Sequence, residues 1–291
     1  MDQAKELRSL INNAQNTNFK NKLNARVITV SSGKGGVGKS SFSTNLAIYL
    51  SSLGKRVLII DADFGLANIE VLLGVRPKYN FYHMLKGEKN ISEIIVDTDY
   101  GIKLISGGNG LKELSSVNNS EVKYFIEQFE YIDKIADIII VDTGAGISSN
   151  VTNFIMASDE SIIVTTPEPT SFTDAYTLIK IMKEQNEVID KINVVINKAD
   201  DKYEAERIFT KLSHVCQKFL GINIQNLGYI QSDLALIKAV KQQKPAIISF
   251  PESDFSISIK TIGDRLLNQD NQLKNDGIKS FMKRLMGIFN K

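Results

Sequence analysis

Residues Arg26 to Ser40 read Arg-Val-Ile-Thr-Val-Ser-Ser-Gly-Lys-Gly-Gly-Val-Gly-Lys-Ser, an apolar run that breaks abruptly into glycines. Gly33, Gly38, Lys39 and Ser40 fill the spacing of a phosphate-binding loop: Gly, four residues, then Gly-Lys-Ser/Thr. The β-branched and apolar residues of Arg26 to Ser31 predict a buried parallel strand. Beyond the loop, Phe42, Leu46, Ile48, Tyr49 and Leu53 recur at near-helical spacing, so a helix is expected over 40–53. Strand, glycine loop and helix together aim backbone N–H groups and a helix dipole at an anion. Gly33, Gly35, Gly36 and Gly38 let the chain curl round phosphates without Cβ clashes, and Val37 and Ser41 complete the loop. Lys39 is placed for the β- and γ-phosphates, and the Ser40 hydroxyl for Mg²⁺. A turn that merely joins strand to helix would not need all of these residues at once. Lys34 is a second lysine that one set of phosphates does not require.

Composition bounds the rest. At 291 residues and 43% hydrophobic content, the chain can bury the core of one large α/β domain. A net charge of +2 gives no global basic field, so nucleic acid is not an expected partner. Cys216, the single cysteine, excludes intrachain disulfides and fits a reducing, cytoplasmic compartment. It also argues against iron–sulfur or zinc chemistry, which needs several soft ligands. His83, His214 and Cys216 form no ligand set. No apolar run is long enough to span a bilayer.

Further strand-like runs are Arg56–Ile60, Ile102–Ser106, Ala136–Val141, Ser161–Thr166, Ile192–Ile196 and Asn226–Ile230. Helical patterns fall at Glu121–Lys134, Ser148–Ala157, Thr170–Asn186 and Lys202–Leu220. The alternation predicts a doubly wound α/β fold: a mostly parallel central sheet flanked by helices on both faces. Ligands of such sheets bind beyond the carboxyl ends of the strands, where Asp61, Asp63, Asp142 and Asn197 are expected.

Each of those residues has a chemical reading. Asp142 follows an apolar strand and can hold Mg²⁺ through water, opposite Ser40. The glycines of Asp142-Thr143-Gly144-Ala145-Gly146 let the backbone sense a γ-phosphate and relax when it leaves. Asp61 and Asp63 fall on one side of an extended chain; one can support the metal shell and the other orient attacking water. Any one of these carboxylates alone reads equally well as a cap or turn residue. Asn197-Lys198-Ala199-Asp200 resembles the guanine-reading Asn-Lys-x-Asp of GTPases, so the motif alone leaves the base open.

The lysine-bearing loop, the Asp-x-Asp segment and the Asp-x-x-x-Gly switch together resemble the deviant-Walker-A ATPases of the MinD/ParA superfamily, P-loop NTPases of the SIMIBI type. The resemblance covers about Arg26 to Leu267. It implies ATP and Mg²⁺ as ligands and a nucleotide sandwich dimer in which Lys34 reaches the partner's ATP. Lys34, Lys39 and Asp63 are then the catalytic set, with Asp63 positioning water. Asp61 and Asp142 support Mg²⁺ with Ser40, and Asn197 reads adenine. Asp174, near a helix start, falls on the dimer and partner face, though a first-turn aspartate favoured by the helix dipole is an equal reading. The MinD branch carries Asp-x-Pro-Ala-Gly in its second switch, where this chain has Thr143 and Gly144.

The two ends narrow the resemblance. Asp2-Gln3-Ala4-Lys5-Glu6-Leu7-Arg8 resembles the Asp-Gln-Ala-x-x-Leu-Arg segment of the FlhG group (also FleN or YlxH), MinD-like ATPases that control flagellar number and placement. In that group the segment stimulates FlhF, a signal-recognition-particle-type GTPase, and Gln3 would be the activating residue, with Asp2, Ala4, Leu7 and Arg8 around it. Residues 1–25 therefore read as an activating helix and linker, and 26–268 as the ATPase domain. Residues 269–291 read as a linker and an amphipathic helix. There, Ile278, Phe281, Met282, Leu285, Met286, Ile288 and Phe289 make an apolar face flanked by Lys279, Lys283, Arg284 and Lys291. That composition suits an anionic lipid surface, and so peripheral binding to the cytoplasmic face of the membrane with ATP; the competing reading is a helix packed on the protein's own core. The resemblance also brings flagellar basal-body and transcription-regulator proteins as further partners. The alternatives are a MinD-type division-site ATPase, which normally begins close to its first strand, and a ParA-type DNA-segregation ATPase, which needs a basic dimer surface. A nitrogenase-type iron protein needs two cluster-ligating cysteines and is excluded.

Overall fold

The computed structural model describes residues 24–63, 68–108, 126–185, 192–269 and 276–289. The Asp2–Arg8 segment, with Gln3, Ala4 and Leu7, lies outside them.

The first strand, β1 (Arg26–Ser32), is buried along its whole length because a parallel strand in the middle of a sheet has helices on both faces. The strands that follow are β2 (Val57–Ala62), β3 (Ile95–Asp97), β4 (Lys103–Ser106), β5 (Ile138–Ala145), β6 (Glu160–Thr165), β7 (Ile192–Ala199) and β8 (Gln225–Gln231). They form one sheet in the order β3-β4-β2-β5-β1-β6-β7-β8. Every neighbour pairing is parallel except β3 with β4. From β1 the chain crosses past β5 to β2, and later it crosses from β5 past β1 to β6 and steps on to β7 and β8. The carboxyl end of β1 is thus the point from which the two halves diverge, where such sheets open a crevice for ligands.

The longer helices are α1 (Lys39–Ser52), α2 (Asn68–Leu73), α3 (Phe81–Leu85), α4 (Ser149–Ala157), α5 (Pro169–Gln185), α6 (Lys202–Leu220), α7 (Leu234–Lys241), α8 (Asp254–Asn268) and α9 (Gly277–Phe289). Alternation along each strand splits the apolar residues between two layers. On one face, Ile28, Val30, Ile59, Ile140 and Val195 pack with Phe42 and Leu46 of α1 and Ile259 and Leu266 of α8. On the other, Val27, Leu58, Ile139 and Val141 meet Phe154 of α4 and Phe281 and Leu285 of α9. Ile163, Val194 and Ile196 extend that second face under α5 and α6.

The apolar face of α9 is therefore turned inward. Ile278, Phe281, Met282, Leu285 and Met286 are all buried, and Ile288 is half-buried. Arg284 pins the helix, reaching Asp159 at 2.7 Å, Asp276 at 2.8 Å and the Ala157 carbonyl at 2.8 Å. Of the two readings open for this segment, the structure has the packed one. The basic residues Lys279 and Lys283 lie on the outer side, and Lys279 pairs with Glu130. An edge strand (β3) and four helices (α2, α3, α7 and α8) are further elements absent from the sequence reading.

Candidate nucleotide site

The glycine loop leaves β1 and runs into α1 through two residues that only glycine tolerates well. Gly36 and Gly38 have φ of 77° and 89°, in the left-handed region. A Cβ on Gly38 would also lie 2.4 Å from the Asn197 amide nitrogen. Asn197 closes this side of the loop by donating to the Val37 carbonyl at 2.6 Å. Its neighbour Lys198, itself at φ 56°, donates to the Gly36 carbonyl at 2.7 Å. Gly33 lies hard against α5, where an added Cβ would stand 2.4 Å from the Asp174 carbonyl carbon. The loop is thus fixed at both ends by elements from the far half of the sheet.

Beneath the loop the first turn of α1 converges on β5. Lys39 Nζ sits 3.0 Å from Asp142 Oδ2, with both side chains buried. Ser40 donates to Asp142 Oδ2 at 2.7 Å. Ser43, one turn further along α1, donates to Asp142 Oδ1 at 2.7 Å. Asp142 is therefore held by three groups of one helix: Ser43 stands three residues after Ser40 and four after Lys39, so it shares a helix face with each. Register places Asp61 of β2 directly opposite Asp142. Asp61 accepts from the backbone N–H of Asp63 at 3.1 Å and of Ile69 at 3.4 Å. Burial, reinforced by the Asp142 charge, pushes its carboxyl up to about 7.

The expected site residues come together unevenly. Lys39, Asp61 and Asp142 are buried together with the half-buried Ser40 against them, while Asp63 is half-buried at the rim and accepts from Asn68 Nδ2 at 3.4 Å. Thr143 is locked by Ser31, 2.9 Å between hydroxyls, and Gly146 N–H donates to the Ser32 carbonyl at 2.9 Å. The Asp142–Gly146 segment is thereby tied to the strand that feeds the loop. Asp200 is held through its backbone: its N–H donates to Glu204 Oε2 at 2.9 Å, and its carbonyl accepts from Gln231 Nε2 at 2.7 Å. Lys34 points elsewhere, to Glu168 and Thr170. Sequence reasoning missed Ser43, Glu168 and Thr170, and it named Lys198 only within the Asn-Lys-x-Asp motif, without its bond to the loop. Ser43 was findable from its one-turn spacing after Ser40; the others depend on loops brought in from β6 and β7.

A strand–glycine loop–helix unit with a buried lysine, hydroxyl and paired carboxylates beneath it defines a P-loop nucleotide-hydrolase fold. The family model for ParA, described as NUBPL iron-transfer P-loop NTPase, matches residues 24–267. The chain belongs to this ParA/MinD family of P-loop ATPases. It is 35% identical to the antiactivator FleN of Pseudomonas aeruginosa, over 83% of this chain and 86% of that protein. It is 37% identical to the flagellum site-determining protein YlxH of Helicobacter pylori, over 92% of each. The septum site-determining protein MinD of Pyrococcus horikoshii, solved in complex with Mg-ADP, superposes with a TM-score of 0.66. At 21% identity, over 87% of this chain and 99% of that one, this last likeness concerns the fold alone.

Proposed function

We propose that the protein is an ATP-driven switch that sets flagellar number and placement, monomeric without ATP and dimeric with it. What carries the reading is a complete loop-and-carboxylate constellation in a chain 37% identical to a flagellum site-determining protein over 92% of its length. ATP lies along Gly33–Ser41, with its triphosphate on the loop N–H groups and Lys39 and its base beside Asn197. Ser40, Asp142 and Asp61 present hard oxygen donors, which suit Mg²⁺ and no softer ion. Mg²⁺ held by these residues would supply positive charge to offset that of the phosphates. Asp63, at the rim, orients the attacking water, and Asp142–Gly146 registers whether the γ-phosphate is present. Lys34 crosses to the partner's nucleotide, so that ATP joins the two subunits and hydrolysis releases them.

The output lies at the chain's ends. Asp2–Arg8 docks on a signal-recognition-particle-type GTPase of the FlhF kind and stimulates it through Gln3, since a glutamine beside a γ-phosphate can order water. Ile278–Phe289 binds anionic lipid on the cytoplasmic face of the membrane when ATP holds two copies together. Phosphate release by the GTPase, measured with this protein and ATP, tests the reading. Stimulation by the native chain and its loss in Gln3→Ala is the expected result. No stimulation by the native chain would favour a division-site role of the MinD kind, to which the fold is also similar.

A further inference from the structure

Lys34 is held in its own subunit. Its Nζ donates to Glu168 Oε2 at 2.7 Å and to Thr170 Oγ1 at 3.0 Å. Both partners belong to the turn that opens α5, the helix against which Gly33 is packed too closely to carry a Cβ. The backbone just before Lys34 is thus fixed on α5 and the side-chain tip is fixed on the same element. No slack remains for the ammonium to sample other positions while the pair is made. The pair is nevertheless open to a second molecule, since the two side chains are 39% and 60% exposed. The Lys34 ammonium, with Lys198 adding, holds the Glu168 carboxyl below the usual carboxylate range.

We infer that Glu168 is a holdback residue: it keeps Lys34 in cis, and a second copy presenting its triphosphate must draw the lysine away. The inference rests on the shared-site dimer proposed above and adds a residue that sets how readily that dimer forms. Because the pair is exposed and screened, one such bridge is worth roughly 1.5- to 5-fold in an equilibrium constant. Each dimer breaks two of them, so the factors multiply to about 2- to 25-fold. Glu168 belongs neither to the loop nor to the carboxylate cluster, so its removal should leave nucleotide binding by the monomer unchanged.

Sedimentation equilibrium of the full chain, with Mg²⁺ and a non-hydrolysable ATP analogue, tests this through the monomer–dimer Kd. Glu168→Gln should tighten the dimer by about 2- to 25-fold, with no change in fluorescent-ADP affinity. In a Lys34→Ala background the same substitution should bring no gain. A Glu168→Gln dimer no tighter than the native one overturns the holdback role, as does an equal gain without Lys34. If Lys34→Ala alone dimerises as the native chain does, the shared-site reading itself falls, and that result is distinct from the first two.

Discussion

Asp61 carries a charge conflict that the sheet register creates. Pairing of β2 with β5 puts it opposite Asp142, while the Lys39 ammonium acts in the other direction. Its carboxyl rises from 3.8 to about 7, mainly because burial penalises the charged form and secondarily because Asp142 repels it. A folded-state value above the unfolded one favours the folded protein while the group is protonated. That contribution is complete below about pH 4 and is lost as pH rises through 7. The nucleotide-free protein should therefore melt lower at pH 8 than at pH 5.5 by several degrees more than the Asp61→Asn variant does. Thermal melts of both proteins across that range check it, and parallel curves would refute it. The same substitution should weaken the Mg²⁺ dependence of nucleotide binding. A divalent cation held by Asp61 and Asp142 would offset their mutual repulsion and so favour the charged form of Asp61.

At the opposite end of the strands, elements are tied together by a polar group that the sequence reading passed over. Arg26, the first residue of β1, is 1% exposed and donates through Nε to Glu160 of β6 at 3.0 Å. Its Nη1 donates to the Leu266 carbonyl of α8 at 3.0 Å, and Asn193 of β7 donates to the second Glu160 oxygen. One arginine so joins three strands and a helix. Replacing Arg26 by Met leaves Glu160 buried without its cation and should cost about 3–5 kcal/mol in urea unfolding. Arg26→Met with Glu160→Gln should recover much of that loss, whereas equal or greater destabilisation would mean the arginine acts mainly by packing. The strands themselves were legible, because fully buried parallel strands are unbroken β-branched runs, as Val27–Val30 and Ile138–Val141 are. So were Gly33–Ser40, Asp61 and Asp142, whose chemistry is local to strand ends. The helix α8 was not. Its Asp-Phe-Ser-Ile-Ser-Ile-Lys-Thr-Ile-Gly start is β-branched and carries Gly263 mid-helix, so intrinsic propensity argues against it. Packing overrides that: Gly263 admits the Tyr49 ring, which would stand 2.5 Å from a Cβ there, and Ser253 caps the N-terminus. The edge strand β3 spans three residues, too few for any period to show.

Over the whole molecule, the docked α9 links the nucleotide end to the surface that would leave it. The Asp142–Gly146 segment leads directly into α4, and α4 supplies Phe154, whose ring centroid is 6.3 Å from that of Phe281. The carbonyl of Ala157, at the end of α4, receives Arg284. Any shift of α4 driven by the switch segment is therefore felt at both the apolar and the polar holds on α9. Those holds are not strong in sum. Five buried apolar side chains contribute about 10 kcal/mol gross at ~2 kcal/mol each. Ordering the 13 residues of α9 costs about 13 kcal/mol at ~1 kcal/mol each, which backbone hydrogen bonds partly offset. The terms nearly cancel, so docking is marginal and a lipid surface can compete with the core for the same face. Hydrogen exchange should then show the α9 amides opening at a free energy well below that of β1 and β5. Mg-ATP should lower their protection further, and sedimentation with anionic liposomes should rise in step. Phe281→Ala, which loosens docking while leaving most of the lipid-facing stripe, should raise liposome binding without nucleotide. Amides of α9 as protected as those of β1, with liposome binding indifferent to nucleotide, would mean that the helix is a fixed part of the core and that membrane contact, if any, is made elsewhere.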